Sequence, residues 1–295
     1  IFFATTALKK DTGTDDASVA PRAIEHVTVL GGGLMGAGIA CVTSQAGIAV
    51  RLKDKDDAGV GRALAYVRGI LDERVKKRQL SPLERDKTFS LITATTDFSG
   101  MKHTGVVIEA VFEDLALKQA ILRDVEANTG EHCIFASNTS SIPIGTIARA
   151  SKHPETVVGM HYFSPVHKMP LLEVIRGEQT SDAALGRALA FAGQIGKTPI
   201  VVNDSRGFFT SRVIGTFTSE GLAMLAEGIA PPSIEQATTQ AGYPAAVLAL
   251  MDELTLTLPR RIRAESRAAV EAAAAEPGVA EPELIRKAKE DEVAK

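Results

Sequence analysis

The stretch His26 to Asp54, HVTVLGGGLMGAGIACVTSQAGIAVRLKD, constrains the chain more than any other. A short apolar run, Val27 to Leu30, breaks into Gly31-Gly32-Gly33-Leu34-Met35-Gly36. Small and apolar residues then continue at helical spacing to about Ala46, and a second apolar run ends at Asp54. The order is strand, glycine turn, helix, strand, acid. Gly31 permits a tight turn, Gly33 lets backbone approach a pyrophosphate, and Gly36 lets the helix pack on the strand. Free N–H groups at the helix start face the phosphates. An acid about 20 residues past the turn, here Asp54, can bond the adenosine ribose hydroxyls. A glycine triplet alone has many structural uses, but the flanking strand, helix and acid turn it into a dinucleotide site.

The rest of the chain repeats the doubly wound pattern. Residues 57 to 80 read as a long amphipathic helix, with Leu64, Val67, Leu71 and Val75 on one face and Arg74, Lys76, Lys77 and Arg78 near its end. That basic end is a solvated face favoured at a helix C-terminus, or a patch for the phosphates of a carrier substrate. Ser81-Pro82-Leu83-Glu84 caps another short helix. Leu91 to Thr95 reads as a strand, and Gly105 to Val111 is the unbroken apolar run of a strand covered on both faces. Glu109 and Glu113 lie at its carboxyl edge, where open α/β sheets bind ligands. Leu115 to Val125 supplies a helix and Cys133 to Ala136 a strand running into Ser137-Asn138-Thr139-Ser140-Ser141, either a turn with a helix cap or part of a site.

Val157 to Pro165 and Leu171 to Ile175 follow, with His161 expected just after a strand and Glu173 inside an apolar segment. An unpaired carboxylate there is costly, and pairing with the imidazole removes that cost. Such a pair fixes the histidine tautomer and suits it to take a proton near neutral pH. Taken alone, a His and a Glu twelve apart are a chance pair more often than not. Gly193 to Val202 reads as a last strand, and beyond Asp204 to Phe208 the pattern is helical: Phe209 to Glu227, Ser233 to Ala241, and an alanine-rich charged tract from Pro259 to Lys295.

The 295 residues suffice for two buried cores, and a net charge of -3 gives no global field for nucleic acid or an anionic membrane. Cys41 and Cys133 form neither a disulfide framework nor a zinc site, and read as buried thiols in a reducing compartment. No apolar stretch reaches the roughly 18 residues of a membrane span. Ile1 to Leu8 has no basic n-region, and residues 1–22 read as the end of an upstream helix and a linker, a piece of something longer.

GGGLMGAGIA, IEAVFEDLALK, FASNTSSIPI, GMHYFSPV, LLEVI, NDSRGFF, and AGYP followed by MDEL form an ordered set. From about Ile24 to Arg263 the chain resembles L-3-hydroxyacyl-CoA dehydrogenase, most of all the dehydrogenase portion of multifunctional fatty-acid oxidation proteins. FFATTALKK resembles the end of the helix leading out of an enoyl-CoA hydratase half. The resemblance implies an α/β fold, a Rossmann-like doubly wound parallel sheet over 23–204, and a smaller all-α domain over 205–295. Because the family's glycine-rich and aromatic closing segment is absent, the helical domain is expected to be incomplete.

The resemblance also assigns roles. His161 matches the catalytic base, Glu173 the carboxylate that orients it, and Ser140 the serine that bonds the substrate's C3 oxygen and lies beside the cofactor. Glu113 and Lys118 match nicotinamide-cofactor contacts, and Asp54 the ribose acid. Leu34 and Met35 inside the turn, Val111 and Ser164 complete the expected cofactor set with Gly31, Gly33 and Gly36. Lys77 aligns with a lysine near the CoA moiety. Many relatives carry Asn at Ser164, and the family commonly has Asn at Ser211, where a serine donates one hydrogen bond but cannot present the amide.

The expected activity is NAD-dependent oxidation of (3S)-3-hydroxyacyl-CoA to 3-ketoacyl-CoA in fatty-acid β-oxidation, in a bacterial-type cytoplasm, by an oligomer joined to the hydratase half and a thiolase subunit. The alternatives are a biosynthetic dehydrogenase of the 3-hydroxybutyryl-CoA type and an NAD-binding scaffold with weak catalysis.

Overall fold

A computed structural model describes residues 2–8 and 23–254; the alanine-rich tract and the linker lie outside the described residues. The chain divides into two compact units between Phe209 and Thr210.

In the first unit, α1 (Phe2–Leu8) precedes β1 (His26–Leu30), α2 (Leu34–Gln45), β2 (Ala49–Lys53), α3 (Asp57–Lys76), α4 (Pro82–Ser90) and β3 (Ile92–Thr95). There follow β4 (Val106–Glu109), α5 (Leu115–Asn128), β5 (Ile134–Ser137), α6 (Ile144–Ala148), β6 (Val157–Tyr162), β7 (Leu171–Arg176), α7 (Asp182–Gln194) and β8 (Thr198–Asn203). The eight strands form one sheet in the order β3-β2-β1-β4-β5-β6-β7-β8. Strand order reverses between β1 and β4, the switch point where such sheets bind ligands.

Helix limits follow local chemistry. Ser81 and Glu84 form a reciprocal capping box on α4, as their spacing predicts. Asp56, Asp114 and Ser181 each accept an amide at the starts of α3, α5 and α7. Central strands are buried on both faces: every residue of β4, β5 and β6 is inaccessible or nearly so.

The sheet departs from an all-parallel one at a single pairing, β6 against β7. Only 163–170 separate these strands, too few for a crossover, so the chain must turn back as a hairpin. Lys197 ties that connection down by donating to the carbonyls of Val166 and Met169. The strand expected from Gly193 begins at Thr198, because α7 runs to Gln194 and Gly196 (φ +70°) turns the chain afterwards. α7 carries an N-cap serine and apolar residues at helical spacing.

The second unit holds α8 (Thr210–Ala226), α9 (Pro231–Gln240) and α10 (Val247–Leu254). Gly221 lets α8 and α10 approach, since a Cβ there would lie 2.7 Å from Val247. The Glu235 carboxylate accepts from the amides of Leu248 and Ala249 and caps α10. No helix among the described residues is long and apolar enough to cross a membrane.

Candidate functional site

The glycine turn closes β1 onto α2. Gly31 has φ +96°, and a Cβ on it would meet the Ala110 carbonyl oxygen at 2.5 Å. A Cβ on Gly36 would sit 1.8 Å from the Gly31 carbonyl oxygen, so this glycine sets the packing of helix on strand. At Gly33 a Cβ would meet nothing within 4 Å, which leaves open space over the turn. Gly33 is also the N-cap of α2 and gives no side-chain cap, so the first-turn amides face that space. Asp54 follows β2, with Oδ2 accepting from Gly32 N at 2.8 Å and Oδ1 from Lys55 N at 2.6 Å.

A cleft of about 580 Å³ lies over this turn. Gly31, Gly33, Leu34, Met35, Asp54 and Val111 all line it, joined by Lys53, Lys55, Arg62, Phe98 and Phe112. An open glycine, uncapped amides and an acid at the next strand end fit a dinucleotide. A second cavity of about 500 Å³, around Ile144, Arg149, Arg176 and Asp204, gathers none of the expected site residues.

Beyond Val111, the carboxyl edge is organised by acids. Glu113 Oε1 accepts from Thr139 Oγ1 (2.6 Å), Ser141 Oγ (2.9 Å) and the amides of Ser140 and Ser141 (3.1 and 3.0 Å). Burial raises the Glu113 pKa, but the Lys118 ammonium and these hydrogen bonds outweigh it and hold the carboxyl below the usual glutamate range. Lys118 is buried, its Nζ 2.7 Å from Glu109 Oε1 and 3.3 Å from Glu113 Oε2. Its ammonium stands behind Glu113. Thr139 Oγ1 in turn accepts from the amides of Ser141 and Ile142, so the polar run is a cap as well as a loop at the edge.

His161 lies inside β6 rather than after it, directly opposite Glu173 in the antiparallel register. The hairpin is what makes residues twelve apart neighbours. His161 Nδ1 is 2.7 Å from Glu173 Oε2, and Glu173 Oε1 accepts from Phe209 N at 3.1 Å. Glu173 is fully buried and His161 7% exposed, with the Phe163 ring 4.6 Å and the Phe208 ring 5.9 Å away. Asn138 links this pair to the serine loop: its Oδ1 accepts from Tyr162 N at 2.9 Å, and its own amide donates to the Glu109 carbonyl at 2.8 Å. The sequence marks Asn138 only as one of a polar run and Glu109 only as a carboxylate ending an apolar strand; the partners of both come from other elements.

The remaining residues are dispersed. Ser164 is exposed in the hairpin connection. Lys77 is the exposed C-cap of α3, beside Lys76, which pairs with Glu73 at 3.0 Å. Ser211 lies in the first turn of α8, in the helical unit. Cys41 and Cys133 are unpaired and buried, and burial pushes their thiols up to about 12 and about 11.

Two family models match the chain. The NAD binding domain of 3-hydroxyacyl-CoA dehydrogenase covers residues 26–205, and the C-terminal domain of the same enzyme covers residues 207–293. The fatty acid oxidation complex subunit alpha of Shewanella halifaxensis is 48% identical over 263 residues, 89% of this chain and 37% of that protein. The chain thus spans a little over a third of the length of such relatives. Among solved structures, (S)-3-hydroxybutyryl-CoA dehydrogenase from Ralstonia eutropha is 34% identical, with a TM-score of 0.79 over 90% of this chain and 93% of that one. The 3-hydroxybutyryl-CoA dehydrogenase from Escherichia coli K12 is 30% identical, with a TM-score of 0.78 over 82% of this chain and 52% of that one.

Proposed function

The chain belongs to the 3-hydroxyacyl-CoA dehydrogenase family, and from that premise we propose that it oxidises (3S)-3-hydroxyacyl-CoA to 3-ketoacyl-CoA as part of a fatty-acid oxidation protein. One observation carries the reading: the buried 2.7 Å contact of His161 Nδ1 with Glu173 Oε2 on the carboxyl edge of a family NAD-binding domain. Donation of Nδ1–H to the carboxylate leaves Nε2 unprotonated, the form that accepts a proton. His161 takes the C3 hydroxyl proton, and Glu173 stabilises the imidazolium that results. NAD held over the glycine turn and Asp54 would supply the hydride acceptor for C3.

Ser140 holds the substrate's C3 oxygen, and Ser211 is a single hydroxyl at the position where the resemblance expects an amide for that oxygen. Gly31, Gly33, Leu34, Met35, Gly36 and Val111 take the pyrophosphate side, and Asp54 the ribose. Glu113, Lys118, Ser140 and Ser164 take the nicotinamide side, where the buried Lys118 also holds Glu113. Lys77 meets the phosphates of CoA. Residues 23–204 form the cofactor domain, and a second domain starts at 205, its described part, to 254, being helical. The names of the curated relatives support a place in a larger complex; the partners we propose there, an upstream hydratase half and a thiolase subunit, follow from the resemblance of the sequence. Two unpaired buried thiols fit a reducing cytoplasm.

The likeness to 3-hydroxybutyryl-CoA dehydrogenases supports a second reading, in which only short acyl chains are taken. NADH formation from (3S)-3-hydroxyacyl-CoAs of short, medium and long chains separates the two. Turnover across the series supports the oxidation-complex reading, and turnover of the shortest alone supports the second. NAD binding without oxidation of any substrate contradicts both and favours a scaffold.

A further inference from the structure

Beneath the loop carrying Ser140 lies a charged group that the proposed chemistry leaves unused. Glu109 ends β4 and is 0% exposed. It accepts from Lys118 Nζ at 2.7 Å, Val111 N at 2.8 Å and Ser137 Oγ at 2.6 Å. Three donors around one carboxyl group is the bonding pattern of the ionised form. Its counter-ion is shared, because Lys118 also lies 3.3 Å from Glu113 Oε2. One ammonium divided between two carboxylates leaves Glu109 incompletely cancelled. Buried ion pairs are weak sources of stability, so stability alone does not account for the arrangement.

The position of this charge matters. The chain crosses from β1 to β4 at the switch point, and Asp54 after β2 marks the adenosine side of the cleft. The carboxyl ends of β4 and β5, where Glu109 pairs in register with Ser137, therefore lie on the nicotinamide side. The nicotinamide ring is cationic in NAD and neutral in NADH, so a fixed charge nearby acts on one form only.

We propose that Glu109 sets the balance between oxidised and reduced cofactor: its buried carboxylate stabilises the cationic nicotinamide ring relative to the neutral one. Being fully buried, it acts through its field and not by contact, where screening by solvent is weak. The bias favours holding NAD for substrate oxidation and releasing NADH. The inference rests on the reading of the cleft as a nicotinamide-cofactor site.

The test is the ratio of dissociation constants, Kd(NAD)/Kd(NADH), measured for the 295-residue chain and two variants. Glu109→Gln removes the charge but retains the hydrogen bonds, since its Oε1 can still accept from Lys118 and Val111 and its amide can donate to Ser137 Oγ. It should raise the ratio by about tenfold, the scale of one partly screened charge. Glu109→Asp keeps the charge and should leave the ratio within about twofold of wild type. A structural role alone would move both dissociation constants together in both variants, and an unchanged ratio in Glu109→Gln overturns the proposal. If Glu109→Gln does not fold, Glu113→Gln removes a unit charge from the same cluster at a half-buried position; it should raise the ratio in the same sense, and no change there is equally fatal. Failure of the underlying cofactor reading looks different: wild type would then bind neither form.

Discussion

The glycine turn and the β6–β7 hairpin both set a carboxylate at the functional edge of the sheet, and they hold it in different ways. Asp54 is fixed by two local amides, those of Gly32 and Lys55, and stays partly exposed in an open cleft. Glu173 is sealed from solvent, with one oxygen on His161 and the other on the Phe209 amide. The turn works through backbone shape, where a side chain adjusts preference. In the proposed reaction the hairpin works through the placement of one proton, which Glu173 sets.

Exchanging each acid for its amide should expose that difference. In Glu173→Gln the side-chain oxygen must keep accepting from Phe209 N, so the new amide turns to His161 Nδ1 and donates to it. The proton then moves to Nε2, and the base is lost. Turnover should fall on the order of 10³ to 10⁴-fold with NAD affinity within a few-fold of wild type, by the logic of a mis-set histidine tautomer. Steady-state kinetics beside NAD titration checks this, and a loss below tenfold would make the hairpin no different from the turn. Asp54→Asn should act more mildly: NAD turnover within a few-fold, but preference for NAD over NADP reduced by about tenfold, since the repulsion of a 2′-phosphate is gone. Lys53, Lys55 and Arg62 line the same cleft and would meet that phosphate. Cofactor preference unchanged in this variant would show that the acid plays no part in selection.

The same contrast explains what the sequence revealed. The turn, its helix and Asp54 are legible because everything they need is local: positive φ at Gly31, a close approach at Gly36 and an acid at the next strand end. The Ser81 capping box was legible for the same reason. His161 and Glu173 could be proposed only as a pair, because the register that sets them opposite depends on the chain reversing across 163–170. That reversal also gave the sheet its antiparallel pairing. Glu109 stood out as a carboxylate in an apolar strand, yet its partners Ser137 and Lys118 come from a neighbouring strand and a following helix. The polar run 137–141 read as cap or site, and its cap is what the hydrogen bonds show: Thr139 holds local amides while Glu113 gathers the loop. Lys77 is an exposed helix cap.

The central claim, that His161 is the base of the reaction, is tested most directly by His161→Gln, with turnover and NAD affinity measured on the same protein. Turnover should fall by about 10² to 10⁴-fold, the contribution of general-base catalysis, with the NAD dissociation constant essentially unchanged. Full turnover in this variant would contradict the account.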